Sequence, residues 1–80
     1  MKLPRDVSGA ELVRGLRRLG YEVDRQVGSH MILRCEAPRS HSITVPNHKP
    51  IKIGTLSSIL HELALQRSTS VERILEALKL

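Results

Sequence analysis

The chain has 80 residues, with 13 Lys and Arg against 8 Asp and Glu, which gives a formal net charge of +5. This length allows one small domain over residues 1–80 and excludes a Rossmann enzyme, a barrel or two independent cores. A single Tyr, with no Phe or Trp, argues against the base-stacking surfaces of RRM and OB-fold proteins. The single Cys excludes an intramolecular disulfide framework and a zinc cluster built from cysteines.

The N-terminal stretch lacks the apolar core of a signal peptide, because charged residues interrupt it: Lys2, Arg5, Asp6 and Glu11. No apolar run is long enough for a transmembrane helix. We therefore expect a cytoplasmic protein with no membrane partner. The positive charge is concentrated in residues 1–20, with five basic and two acidic residues, and in residues 41–55, with two basic and none acidic. Together these segments would make a patch suited to phosphates, although a merely solubilising surface is the alternative.

The first predicted element is a helix. Ser8 and Glu11 have the spacing of a capping box, apolar residues follow at helical spacing, and Gly20 is a suitable end. Three arginines occupy the other side of this helix: Arg14, Arg17 and Arg18. The cost of Gly15 inside a helix suggests close packing against a neighbour.

Alternating apolar and polar residues then predict three strands. They cover Tyr21 to Gln26, His30 to Cys35 and a short segment around Ile43 and Val45, with turns at Gly28-Ser29 and Ala37 to Ser40. One face of the sheet would point to the helices and carry Tyr21, Val23, Met31, Leu33, Cys35, Ile43 and Val45. The other face would carry His30, Ile32, Arg34 and Thr44.

Two more helices close the pattern. One begins at Gly54-Thr55, and Thr69 with Glu72 forms a capping pair for the last, short helix. Short connections favour an antiparallel three-stranded meander with the helices on one face. The predicted class is α+β, in the order α-β-β-β-α with a short C-terminal helix.

Histidine carries the main chemical signal. His30 follows Gly28-Ser29, where glycine permits a sharp turn and close approach of a ligand, and an imidazole can take a proton from a hydroxyl. An exposed histidine without a role is the alternative for His30, and an ordinary turn residue is the simpler interpretation of His48. We expect His41 to be structural or exposed, and His61 to be a surface residue on the polar side of the second helix. No residue grouping has the spacing of a metal site, so neither a metal nor a small-molecule cofactor is expected.

Several segments carry a family resemblance when they are taken in order. They are Gly28-Ser29-His30-Met31, Ile43-Thr44-Val45-Pro46-Asn47-His48, Ile53-Gly54-Thr55-Leu56 and Ile59-Leu60. In this order and spacing they resemble the HicA (YcfA-like) toxins of bacterial type II toxin–antitoxin systems, over about residue 3 to residue 78. The resemblance implies a double-stranded-RNA-binding-domain-like fold, which agrees with the predicted elements.

The resemblance also implies a metal-independent mRNA interferase of the bacterial or archaeal cytoplasm that a HicB-like antitoxin neutralises. Its catalytic histidine, which follows a Gly-Ser or Gly-Gly pair, corresponds to His30, with Gly28 and Ser29 shaping the site. As general base, His30 would deprotonate a ribose 2′-hydroxyl. Three cations are candidates to offset charge on the phosphate: Arg34, Lys49 and Lys52. His48 is a candidate acid, although the spacer after it is shorter than the family's and lacks a glycine.

Two other kinds of function stay open. A non-catalytic double-stranded RNA-binding module would hold phosphates through the arginines of the first helix and the basic loop before residue 56. A protein-interaction module would use the same basic surface for an acidic partner. His30 discriminates among these functions, because binding by backbone charge is insensitive to His30→Ala whereas cleavage is not.

Overall fold

The computed structural model describes residues 3–80. Its elements, in chain order, are α1 (Gly9–Arg18), β1 (Glu22–Val27), β2 (His30–Cys35), β3 (His41–Pro46), α2 (Ile53–Gln66) and α3 (Val71–Leu78). The strands form an antiparallel sheet of order β1-β2-β3 that the helices flank. This architecture confirms the predicted α+β, double-stranded-RNA-binding-domain-like fold. Within the described residues, no helix has the length and apolar character needed to cross a bilayer.

The start of α1 is fixed by the predicted capping box. The Ser8 Oγ accepts a hydrogen bond from the Glu11 N–H, and the Glu11 carboxylate accepts one from the Ser8 N–H, both at 3.1 Å. The bond from the Ser8 N–H is the main reason that the pKa of Glu11 lies below its ordinary value. At Gly15 the helix meets α3, and a Cβ there would lie 2.9 Å from the Leu78 carbonyl oxygen. This close approach accounts for a glycine inside the helix.

The central strand, β2, alternates as predicted. Its buried side chains face the helices and are Met31, Leu33 and Cys35. Ile43 and Val45 of β3 complete that buried face. On the opposite, helix-free face, Ile32 pairs with Thr44 and His30 pairs with Pro46. The helix-free face is therefore the one that carries His30.

The prediction for the first strand needs correction. All six residues of β1 are exposed, and Val23, expected in the core, is 37% exposed. The helices pack mainly against β3, and a bulge shifts the β1–β2 register between Val23 and Arg25. As a result β1 projects beyond the core as an edge strand. Tyr21 is fully buried as expected, but it precedes the strand.

The cap of α3 lies one residue later than predicted. The Ser70 Oγ accepts the hydrogen bond from the Arg73 N–H at 3.2 Å, so Ser70 is the N-cap in place of Thr69. The Thr69 N–H donates instead to the Ala64 carbonyl at 2.9 Å and closes the end of α2. Ser68, which follows α2 and directly precedes Thr69, has a φ of 51°, the left-handed conformation that often ends a helix.

Candidate functional site

The four histidines divide into two pairs, and the first pair is tied to the fold. The Nδ1 of His41 lies 2.7 Å from the Arg39 carbonyl oxygen, and its Nε2 lies 2.6 Å from the Tyr21 Oη. A carbonyl only accepts, so Nδ1 donates. In the neutral ring Nε2 then accepts from the Tyr21 hydroxyl, whose pKa burial holds above its ordinary value. The His61 Nδ1 lies 2.8 Å from the Ser57 carbonyl oxygen, one turn earlier in α2.

The second pair, His30 and His48, is not tied to the fold through its rings. Neither ring forms a hydrogen bond with any of residues 3–80. Both residues line one open cavity of about 350 Å³. The other residues that line it are Thr44, Pro46, Lys52 and Thr55. Ligand sites typically measure roughly 300–1,000 Å³, so this cavity has room for a nucleotide.

The hairpin turn before β2 positions His30. Gly28 has a φ of 60°, a conformation that glycine adopts without steric cost. A Cβ at Gly28 would meet no atom within 4 Å, so the turn is also open to an approaching ligand. Ser29 contributes its carbonyl oxygen, which accepts the Asn47 N–H at 2.6 Å. Gly28 and Ser29 thus act through their backbone: Gly28 forms the turn before β2, and Ser29 holds the loop that follows β3.

The loop that carries His48 is held on both sides. The His48 carbonyl accepts the Gly9 N–H at 2.9 Å, and the Ile51 N–H donates to the Val7 carbonyl at 2.7 Å. Ile51 itself is buried. These bonds join residues 48–51 to the start of α1, so the short spacer without a glycine is fixed by its neighbours. His48 consequently projects from an anchored segment of backbone.

Gly9 is a site residue that the sequence analysis missed. A Cβ at this position would overlap the Pro46 carbonyl oxygen and would lie 3.0 Å from the Asn47 Cα. Glycine therefore lets α1 dock directly on the backbone just before His48. The signal in the sequence was a glycine straight after the Ser8 cap, where alanine is the better helix former. Thr55, at the start of α2, was likewise not proposed for the site.

The positive charge of the cavity comes from Lys52 and from the start of α2. Lys52 is the N-cap of α2, and no side chain accepts a hydrogen bond from the first N–H groups of the helix. These N–H groups and the helix dipole favour an anion at this end. Lys49 is exposed and does not line the cavity. Its charge instead helps to lower the pKa of Glu11 in α1. Of the two predicted loop lysines, the structure brings only Lys52 to the histidines.

The structure separates Arg34 from His30 along β2. Arg34 shares the helix-free face, but it stands four residues along β2, roughly 13 Å away at the usual strand rise. Its Nε donates to the Glu36 Oε2 at 2.9 Å, and its Nη2 donates to the Ser40 Oγ. The bond from Arg34 is the main cause that holds the pKa of Glu36 below its ordinary value. Arg34 thus contacts Glu36 and Ser40 at the far end of the strand.

The three arginines of α1 do not form one patch beside His30. Arg14 and Arg17 line a groove between α1 and β1 on the helix side of the sheet, whereas His30 lies on the helix-free face. The Arg18 Nη1 donates to the Leu78 carbonyl oxygen at 3.1 Å and points toward α3. Asn47 borders the groove, next to His48 in the chain. The groove therefore approaches the cavity at one end of the sheet, but the groove lies on the helix side of the sheet and His30 on the other.

Within residues 3–80, no group of three or more His, Cys, Asp or Glu side chains is placed to hold a metal ion. The site thus consists of two free imidazoles, one ammonium group and two hydroxyls around an open cavity. Imidazoles can take up and release protons near neutral pH, and the ammonium group can offset the charge of a phosphate. The arrangement suits acid–base chemistry on a phosphate-containing ligand.

Comparison with known proteins places the chain in a family. A family model described as the HicA toxin of bacterial toxin–antitoxin systems matches residues 9–65. The matched range extends from the first residue of α1 almost to the end of α2, and it includes His30, His48 and Lys52. No curated protein and no solved structure matches the chain significantly. Because the match covers well over half of the 80 residues, the chain belongs to the HicA family of bacterial toxins.

Proposed function

We propose that this HicA-family toxin is an endoribonuclease, an mRNA interferase that uses His30 as its general base and needs no metal ion. One observation supports this above all: the His30 ring, without a hydrogen bond to residues 3–80, lines an open cavity beside Lys52. A general base needs a ring nitrogen that is free to reach the proton it removes. The family itself implies a nuclease-like toxin that works with an antitoxin partner.

The reaction follows from the chemistry of RNA. His30 removes the proton of a ribose 2′-hydroxyl, and the 2′-oxygen attacks the adjacent phosphorus. The bond from phosphorus to the 5′-oxygen breaks, which leaves a 2′,3′-cyclic phosphate and a free 5′-hydroxyl. The nucleophile belongs to the substrate, so no metal-activated water is required. Lys52 and the start of α2 offset the negative charge that develops on the phosphoryl oxygens.

The surroundings of the cavity support RNA as the substrate class. With one aromatic residue in the chain, and that one buried, binding depends on phosphate charge and backbone shape rather than on base stacking. Arg14 and Arg17 line the groove between α1 and β1, and these two cations support phosphate contacts beyond the cleaved linkage. An mRNA substrate places the toxin's action in the bacterial or archaeal cytoplasm.

Inhibition by a HicB-like antitoxin fits the same site. His30 and His48 are exposed, and the cavity that they line is open to solvent. A partner that covers its opening excludes RNA from both histidines. We therefore propose that the antitoxin inhibits by occluding the cavity.

A second candidate function is RNA binding without cleavage. The groove with Arg14 and Arg17 favours it, because this basic surface lies apart from His30. Such a module binds RNA through phosphates with strong salt dependence, as the enzyme also does. Salt dependence therefore does not discriminate between the two functions, whereas the chemistry of the products does.

The termini of cleaved RNA test the enzymatic proposal. We expect the purified protein to cut RNA in the presence of EDTA and to leave 2′,3′-cyclic phosphate and 5′-hydroxyl ends, because the 2′-oxygen is the nucleophile. Labelling with polynucleotide kinase and mass spectrometry of the fragments identify these ends. Products with 3′-hydroxyl ends contradict the mechanism, and intact RNA that is nevertheless bound supports the second candidate.

A further inference from the structure

We infer that His48 is the general acid of the cleavage reaction, the group that gives a proton to the departing 5′-oxygen. This inference rests on the proposed function and completes it, since cleavage by a base alone leaves an alkoxide as the leaving group. An acid must lie on the same cavity as the base and must not be committed to the fold. Among the four histidines, only His48 shares both properties with His30.

The backbone fixes His48 relative to His30. Ser29, directly before His30, accepts the Asn47 N–H, and Asn47 is directly before His48. The pairing of His30 with Pro46 in the β2–β3 register places the two histidines at the same end of the sheet. The Gly9 N–H donates to the His48 carbonyl from the other side. Two catalytic groups thus stand on segments that hydrogen-bond to each other, which keeps their spacing constant.

The other polar groups of the cavity are poorer proton donors. The hydroxyls of Thr44 and Thr55 are very weak acids, and a lysine ammonium titrates far above neutrality in its ordinary state. An imidazolium changes charge near neutral pH, which is where general acid catalysis is efficient. Lys52 then serves the phosphoryl oxygens. His48 is the group whose chemistry fits proton donation.

The proton balance of one turnover closes. The reaction begins with His30 neutral and His48 protonated. His30 gains the proton of the 2′-hydroxyl as the bond from the 2′-oxygen to phosphorus forms. His48 loses its proton to the 5′-oxygen as the bond from phosphorus to that oxygen breaks. Exchange with water then restores both rings, so no metal ion or other reactant is consumed.

An RNA with sulfur in place of the 5′-oxygen at the cleaved linkage tests this role. A thiolate leaves without a proton, so the sulfur substrate no longer needs an acid. On ordinary RNA we expect His48→Ala to cleave about 10²–10⁴-fold more slowly than wild type, which is the usual contribution of a general acid to the rate. On the sulfur substrate we expect His48→Ala to cut within about tenfold of wild type, because only the acid step is bypassed.

Two controls separate the possible failures. His30→Ala should stay slow on both substrates, because sulfur does not replace the base, and His61→Ala should match wild type on both. If His48→Ala is equally slow on both substrates, or as fast as wild type on ordinary RNA, His48 is not the acid. If His30→Ala cuts ordinary RNA like wild type, the proposed function itself fails. Folding is monitored by circular dichroism, and His48→Gln provides a second variant with a polar side chain that cannot act as a general acid.

Discussion

Replacing His30 by alanine should lower the single-turnover rate of RNA cleavage by about 10²–10⁴-fold, the range measured for loss of a general base. The physical reason is that, within residues 3–80, no other imidazole stands where His30 does: His41 and His61 are hydrogen-bonded within the fold, and His48 lines the cavity from the loop after β3. RNA affinity should change little, since charged groups outside this ring supply the phosphate contacts.

The matched control is His61→Ala. This histidine is also exposed, but its ring is bound to the Ser57 carbonyl on α2 and does not line the cavity. Cleavage rates and RNA dissociation constants measured for both variants separate catalysis from binding. Equal cleavage by His30→Ala and wild type would remove His30 from the mechanism. A loss of RNA binding equal to the loss of rate would show that His30 acts in binding alone.

Gly9→Ala should damage both the fold and the reaction, although Gly9 does not line the cavity. The new Cβ would overlap the Pro46 carbonyl oxygen, so α1 or the loop must move. Overpacking of this kind typically costs about 1–3 kcal/mol in the free energy of unfolding. The loop that moves carries His48, and a displacement near 1 Å of a catalytic group can lower the rate by about 10²-fold.

Gly54→Ala is the matched control for Gly9→Ala. Gly54 lies near the start of α2, and a Cβ there would meet no atom within 4 Å. Urea denaturation of both variants should show destabilisation for Gly9→Ala and none for Gly54→Ala, and single-turnover assays measure the rate of Gly9→Ala under conditions where it is folded. A Gly9→Ala protein with wild-type stability and wild-type rate would contradict the role assigned to this close approach.

Local patterns were sufficient to predict most of the fold. The capping box at Ser8, the alternation along β2 and the apolar spacing of α2 each depend on residues a few positions apart, and the structure confirms all three. The two wrong predictions concern Val23 and Thr69, and both arise from the way elements pack together, which local patterns do not encode. Val23 alternates correctly but lies on a strand that projects beyond the helices. Thr69 has the spacing of a cap, but its N–H is taken by the end of α2.

The assembly of the site depends on contacts between distant parts of the chain. His48 reaches the cavity because Gly9 and Ser29 bind the loop around it, and both bonds join segments far apart in sequence. Arg34 was expected near His30 because the two share a face, but a shared face fixes direction and not distance. Its partners, Glu36 and Ser40, become neighbours only when the strand and the following turn are folded. Spacing alone therefore identified residue types that suit the chemistry but did not identify their partners.

The most direct test compares two RNAs that differ in a single atom, the 2′-oxygen at the mapped cleavage position. Wild type and His30→Ala are incubated with each RNA under single-turnover conditions in EDTA, and the cleavage rate is measured. The proposed mechanism predicts that wild type cuts only the RNA with the 2′-hydroxyl, and that His30→Ala cuts neither at an appreciable rate. Cleavage of the 2′-deoxy RNA by wild type, or rapid cleavage of the normal RNA by His30→Ala, would contradict it.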